Sequence, residues 1–138
     1  MALLRGPQVV LSGNNFAGNG CLQPLSPRAE WTAVVLAGQR PGRDPLASAF
    51  GLATKAAVAI AGQPMLERVL RALLAAPPIG TIVVLAQRSE ELLAGSLSWT
   101  RDHPRIRFYP GGDGIAASIA QVAGSDEAPW PVLVTTAD

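Results

Sequence analysis

The chain has 138 residues with a formal net charge of +1, and 49% of the residues are hydrophobic while only 15% are charged. This length predicts one domain with a real core, and the composition excludes intrinsic disorder for the bulk of the chain. Because the charge is near zero and no basic run occurs, we expect no nucleic-acid partner. No apolar run reaches the ~18 residues of a membrane span, so we expect no membrane partner either.

Three residue types that occur only once limit the chemistry further. Cys21 is the only cysteine, which excludes an intramolecular disulfide and a zinc site built from cysteines. His103 is the only histidine, and its polar, turn-like surroundings favour a surface loop over a protease-type triad. Lys55 is the only lysine beside ten arginines. The lone cysteine and the lack of a signal-peptide core after Arg5 predict a cytoplasmic, reducing setting.

Residues 1–30 read as an extension rather than as part of a domain. A breaker-rich stretch covers residues 13–20 and prolines follow it, while residues 9–11 are the only strand-like piece. We therefore predict a loose N-terminal extension over residues 1–30, dispensable for folding, and one domain over residues 31–138.

Short apolar runs recur along this domain, each of the kind that forms a parallel strand buried on both faces. The predicted strands cover residues 32–37, 81–86, 106–109 and 132–136. A further short apolar run, at residues 56–61, follows Lys55.

Helical patterns separate the predicted strands. The clearest helix begins near Pro64 and is stopped by Pro77, with one apolar stripe and a Glu67–Arg71 pair on its polar side. A short helix capped by Ser89 and a small-residue helix over residues 115–123 follow. The alternation predicts an α/β fold with a Rossmann-like, mostly parallel sheet and helices on both faces.

The loop after the first predicted strand, from Ala37 to Lys55, has the composition of an anion-binding loop. In such sheets ligands bind beyond the carboxyl ends of the strands. Small residues such as Gly38 let backbone N–H groups approach an anion, Arg43 offers a planar fork for phosphate oxygens, and Lys55 offers a point charge. On the residues alone, the loop either binds phosphate or is an ordinary connection.

Two more features fall at the carboxyl ends of predicted strands. The glycines at residues 111–114, with Ser118 beyond them, precede a helix and either present backbone donors to a ligand or form an ordinary turn. Asp138 follows the last strand and either binds Mg²⁺ or is a solvated terminal residue.

Taken together, these features resemble the signature of the nucleotidyltransferases. The resemblance is carried by LAGQRPGR at residues 36–43, by Lys55, by GQPM at residues 62–65 and by VLVTTAD at residues 132–138. It covers about residues 31–138 and is strongest to the NTP transferases grouped with molybdenum cofactor guanylyl- and cytidylyltransferases. Sugar-phosphate nucleotidyltransferases are similar, and the implied fold is that of the nucleotide-diphospho-sugar transferases.

The resemblance implies transfer of an NMP moiety from an NTP to a phosphorylated or hydroxyl small-molecule acceptor, with Mg²⁺ as cofactor and pyrophosphate as leaving group. It also implies a role for each matching residue. Arg43 and Lys55 would be catalytic, Asp138 would hold the metal, and the nucleotide would be bound by Leu36, Ala37, Gly38, Gly112 and Ser118.

The sequence departs from the family pattern at two places and leaves other functions open. Gln39 and Pro41 replace glycines, and proline cannot donate a backbone N–H. Family members have further strands after the position of Asp138, so we expect a C-terminally incomplete fold that associates with itself through the exposed side of the sheet. The alternatives are a non-catalytic nucleotide-binding module and a sugar-nucleotide-dependent glycosyltransferase.

Overall fold

The computed structural model describes residues 2–4, 30–39, 42 and 44–138. Seven strands and four α-helices are found in this part of the chain, with 3₁₀ turns at Lys55–Ala57 and Ser98–Thr100. The strands are β1 (Ala2–Leu4), β2 (Trp31–Leu36), β3 (Ala59–Ile60), β4 (Gln63–Pro64), β5 (Ile79–Leu85), β6 (Ile106–Tyr109) and β7 (Val132–Thr136). The helices are α1 (Pro45–Ala49), α2 (Met65–Ala75), α3 (Ser89–Leu93) and α4 (Ile115–Val122).

The main sheet has five strands in the order β1-β7-β2-β5-β6. The pairings of β2 with β5, β2 with β7 and β5 with β6 are all parallel, and only β1 runs antiparallel, against β7. The predicted mostly parallel α/β sheet is thereby confirmed. Since β2 lies between β5 and β7, the loops after these three strands meet at one edge of the sheet.

One face of the sheet packs against α2 and the segment from α3 to Leu97. Alternate strand residues such as Val35 and Val84 are fully buried there, against Leu66 and Leu70 of α2. These two leucines are one turn apart, so they form the apolar stripe that the sequence predicts for this helix.

The opposite face packs against α4. Val34, Val83 and Val132 are fully buried on this side, and Val122 of α4 contacts them. Because neighbouring residues of one strand enter different cores, the strands read as continuous apolar runs rather than as alternating ones. Helices therefore cover both faces, as predicted.

Helix α2 follows the sequence prediction with a shift at its start. Pro64 is the N-cap rather than the first helical residue, and the helix ends at Ala75, ahead of Pro77. The predicted pair on its polar side is present, since Arg71 Nε donates to Glu67 Oε1 at 2.8 Å.

One helix was not predicted, and one predicted helix cap is wrong. The loop after β2 contains α1, whose N-cap Asp44 accepts a hydrogen bond from Ala47 N at 3.0 Å. The signal for this helix is in the sequence, because aspartate at the N-cap followed by proline at N1 is a usual start. Ser89 does not cap α3: the N-cap is Arg88, and no side chain caps this helix.

The N-terminal segment differs in part from the expected loose extension. Residues 2–4 form an edge strand on β7, with Leu3 opposite Leu133, because the outer edge of β7 offers backbone groups that any extended segment can satisfy. The strand-like piece at residues 9–11 lies outside the described residues. Within the described ranges, no helix is long and apolar enough to cross a bilayer.

Candidate functional site

The site lies where β2 and β7 end side by side. The ladder of backbone hydrogen bonds continues one residue past both strands, because Ala37 N donates to Leu85 O at 2.9 Å and Ala137 N donates to Leu36 O at 3.0 Å. Ala37 and Ala137 are buried. The residues that follow them, Gly38 and Asp138, lie at the edge of the sheet where β2 and β7 end, which we call the mouth of the sheet.

Lys55 reaches this mouth from the 3₁₀ turn Lys55–Ala57. The Thr54 hydroxyl caps the turn by accepting a hydrogen bond from Ala56 N at 3.4 Å, and Ala56 itself is buried in the core. Thr54 and Ala56 thus hold the backbone of Lys55 in place from both sides.

Lys55 and Asp138 form an ion pair across the mouth. Lys55 Nζ donates to Asp138 Oδ2, although the two residues are 83 positions apart. Each side chain keeps 34% of its surface exposed, so both charges remain open to a ligand. Together they present one positive and one negative group at the same place, which suits an anion and a cation bound together.

These residues line a shallow surface cleft. Five of the predicted site residues take part in it, and two small neighbours complete its wall. The lining consists of Leu36, Ala37, Gly38, Lys55, Ala56, Ala137 and Asp138. Arg43, the remaining predicted phosphate ligand, lies outside the described residues, as does Pro41.

Gly112 lies in a second loop, which joins β6 to α4, and Ser118 lies near the start of α4. Neither residue lines the cleft. Ser118 is buried, and its hydroxyl accepts from Gly112 N at 2.9 Å and donates to Gly114 O at 2.7 Å. The side chain that the resemblance assigns to the nucleoside is thus engaged in shaping the loop. Any contact of its hydroxyl with a ligand would be made in addition to these two bonds or in exchange for one of them.

Two glutamines that the sequence reasoning did not select connect the loops. Gln39 N donates to Gln87 Oε1 at 2.9 Å, and Gln39 Nε2 donates to Ala53 O at 2.6 Å. Gln87 follows β5 as Asp138 follows β7, separated from the strand by one buried alanine. The signal was therefore available, since a polar residue after a buried parallel strand lies at the ligand-binding edge.

The acidic side chains of the described residues are dispersed. Across residues 30–39, 42 and 44–138, no three His, Cys, Asp or Glu side chains lie close enough together to hold a metal ion. At the cleft, the one carboxylate side chain in the lining is that of Asp138.

The family of the chain follows from its sequence as a whole. Residues 33–138 match the family model described as the MobA-like NTP transferase domain, and the chain belongs to that family. The resemblance to the NTP transferases is thereby confirmed. No curated protein matches the sequence.

A solved structure agrees with the fold. The chain is similar to 4-diphosphocytidyl-2C-methyl-D-erythritol synthase from Anaerococcus prevotii DSM 20548, with a TM-score of 0.54 and 17% sequence identity. The match covers 79% of this chain and 44% of the solved chain. The present chain therefore spans less than half of the length of that structure, and the likeness at this identity concerns the fold.

Proposed function

We propose that the protein transfers an NMP moiety from an NTP to a phosphorylated or hydroxyl acceptor and releases pyrophosphate. The proposal rests chiefly on the meeting of Lys55 and Asp138 beside Gly38 at the carboxyl ends of β2 and β7. Membership of the NTP transferase family supports it. In the reaction, an acceptor oxygen forms a bond to the α-phosphorus while the bond from that phosphorus to the bridging β-phosphate oxygen breaks.

Such a transfer asks little covalent work of the protein, so positioning and charge neutralisation dominate. Of the three backbone amides after β2, those of Ala37 and Gln39 already donate to Leu85 O and Gln87 Oε1. The Gly38 amide has no partner in the described part of the chain. We therefore assign to the Gly38 N–H the main backbone contact with the phosphates, and to Ala37 a supporting role in the wall.

Lys55 would neutralise negative charge on the α-phosphate as the leaving group departs. Its present partner is Asp138, so binding of the triphosphate exchanges a carboxylate for phosphate oxygens. This exchange costs little, because both side chains are one-third exposed and such ion pairs are weak. Arg43, if it contacts the β- and γ-phosphates as the resemblance implies, would add a second cation.

Asp138 fits a magnesium ion that is held jointly with the nucleotide. Mg²⁺ is usually bound by one or two carboxylates together with substrate phosphates and water, and the cleft offers one carboxylate next to the proposed phosphate position. When bound, the ion would stabilise the charge that develops on the phosphate oxygens. We also propose a cytoplasmic setting for this chemistry.

The experiment that tests the proposal is a pyrophosphate-release assay with the four NTPs, Mg²⁺ and a panel of phosphorylated and hydroxyl acceptors. We expect pyrophosphate release that depends on both the NTP and one class of acceptor. Binding of NTP without release under any acceptor would favour the non-catalytic module. Release of orthophosphate alone would contradict the proposed reaction.

A further inference from the structure

Gln87 lies between the two loops that border the cleft. Its side-chain amide accepts a hydrogen bond from Gln39 N on one side. On the other side, a Cβ placed on Gly111 would lie 3.4 Å from Gln87 Nε2. A Cβ placed on Gly38 would come within 2.7 Å of Gln87 Oε1 and 2.9 Å of Nε2. The amide therefore rests on the bare backbone of Gly38, and glycine at this position makes room for it.

The contact with Gln39 fixes which way the amide faces. Only the oxygen of a glutamine side chain can accept from a backbone N–H, so Oε1 must face Gln39. Nε2 must then face the glycines at residues 111–114, the glycine loop. The two N–H groups of Nε2 have no acceptor among the described residues, and Gln87 is exposed. A pair of hydrogen-bond donors is thus held in a defined direction between residues 37–39 and residues 111–114.

We propose that Gln87 is a specificity-determining residue that donates a hydrogen bond from Nε2 to a carbonyl oxygen of the nucleobase, while its Oε1 holds the phosphate-side loop. The proposal rests on the proposed function, since it needs an NTP with its triphosphate at Gly38. A neutral amide with only its donors available selects a ligand that presents an acceptor. Cytosine, uracil and guanine present a carbonyl oxygen, whereas the acceptors of adenine are ring nitrogens, so a contact to a carbonyl oxygen would favour CTP, UTP or GTP over ATP.

Three variants separate the two halves of this role. Gln87→Glu keeps an oxygen that can accept from Gln39 N but removes the donors. Gln87→Met removes both the acceptor and the donors while the side chain keeps nearly the same length. Gln121→Glu is the matched control. It adds the same charge beside the glycine loop, where a Cβ on Gly112 would lie 3.3 Å from Gln121 Oε1, but it does not touch residues 37–39.

Amide hydrogen exchange of the ligand-free protein tests the contact with the loop. We expect the Gln39 amide to exchange about fivefold faster in Gln87→Met than in the wild type, because about 1 kcal/mol of hydrogen bonding is lost. In Gln87→Glu and Gln121→Glu its protection should remain. Unchanged protection in Gln87→Met would overturn the clamping role of Gln87, whether or not nucleotide binds.

Equilibrium binding of the four NTPs tests the base contact. We expect the wild type to prefer a carbonyl-bearing base over adenine by about tenfold, both Gln87 variants to reduce that preference to about twofold, and the control to retain it. A wild-type preference that survives both Gln87 substitutions would overturn the inference and leave the proposed function standing. If the wild type binds none of the four NTPs, the proposed function fails, and the contact between Gln87 and the base fails with it.

Discussion

The Lys55–Asp138 ion pair adds little to the stability of the fold. Both side chains are one-third exposed, and exposed ion pairs contribute about 0–1 kcal/mol to the free energy of unfolding. A lysine without a structural task, held in place by a capped turn and a buried neighbour, is consistent with a role toward a ligand.

Replacing Lys55 should therefore separate activity from stability. We expect Lys55→Met to lower kcat for NMP transfer by about 100-fold or more, the usual effect of removing one stabiliser of transition-state charge, with a Tm close to that of the wild type. Lys55→Arg keeps the charge and should retain part of the activity. Steady-state pyrophosphate release and a thermal melt check both statements, and a large fall in the Tm of Lys55→Met would make the lysine a structural residue.

Ser118, unlike Lys55, stabilises the fold, because it is buried and its hydroxyl makes hydrogen bonds to both Gly112 N and Gly114 O. In Ser118→Ala the amide of Gly112 and the carbonyl of Gly114 each lose a partner. We expect the free energy of unfolding to fall by about 1–3 kcal/mol and KM for the NTP to rise as the glycine loop loosens. Chemical denaturation measures the first effect, and Ser96→Ala, at an exposed position, is the control. Unchanged stability would show that the loop does not depend on this hydroxyl.

For single residues, the sequence predicts which groups follow the ends of strands, but not which side chains contact each other. Gly38, Lys55 and Asp138 lie in segments that follow predicted strands, which predicts a place at the carboxyl edge of the sheet, but the ion pair between Lys55 and Asp138 is not predicted. The bridge between Gln39 and Gln87 could not be predicted, because it depends on how closely two loops approach, and no periodicity records that distance.

Among the elements, the hairpin of β3 and β4 depends most on local backbone conformation. Ile60 pairs with Gln63 across a two-residue turn, and the turn residues Ala61 and Gly62 have φ values of 50° and 81°. Arg68 of α2 donates to Ile60 O at 2.6 Å, so the hairpin is tied to the helix that follows it. A turn with positive φ at both positions favours Asn-Gly over Ala-Gly.

Substitutions in this turn should change stability in opposite directions. We expect Ala61→Asn to stabilise the protein by up to about 1 kcal/mol, because it relieves an unfavourable left-handed alanine. Gly62→Ala should destabilise it by about 1–2 kcal/mol for the converse reason. Denaturant midpoints of the two variants against the wild type give both values. Equal midpoints for all three proteins would show that the hairpin opens before global unfolding.

Several elements were predictable from short apolar runs with proline or glycine beside them, but one run rich in alanine was not. The strands at residues 106–109 and 132–136 and the helix over residues 115–122 agree with the prediction to within a residue. The apolar run at residues 56–61 instead divides between a 3₁₀ turn and a two-residue strand. A run of small residues such as alanine carries no clear period, so the cap at Thr54 and the turn at Gly62 decide its structure.

On the scale of the whole molecule, the outer edge of β7 is covered by a strand from far away in the sequence. Ala2–Leu4 pairs antiparallel with residues 132–134, whereas the composition of residues 1–30 predicted an extension outside the fold. Three residues are too few to carry a periodic signal, and an edge strand is chosen by available backbone groups rather than by pattern.

Removing residues 1–4 should expose this edge. We expect the shortened protein to melt about 5 °C lower than the full chain and to associate with itself at high concentration, because unpaired strand edges pair with other chains. Thermal melts and sedimentation over a range of concentrations test this. A shortened protein with an unchanged Tm that stays monomeric would mean that β1 does not protect the sheet.

Binding of NTP phosphates at the mouth of β2 and β7 can be followed by a nuclear magnetic resonance titration of isotope-labelled protein with Mg²⁺ and each NTP. We predict saturable shifts of the Gly38 and Gln39 amides and of the Lys55 side chain. The ring cluster of Trp99 and His103, ahead of β6 at the other end of the strands, should not shift. Saturable shifts confined to that distant cluster, or none with any NTP, would mean that the ends of β2 and β7 do not bind the nucleotide.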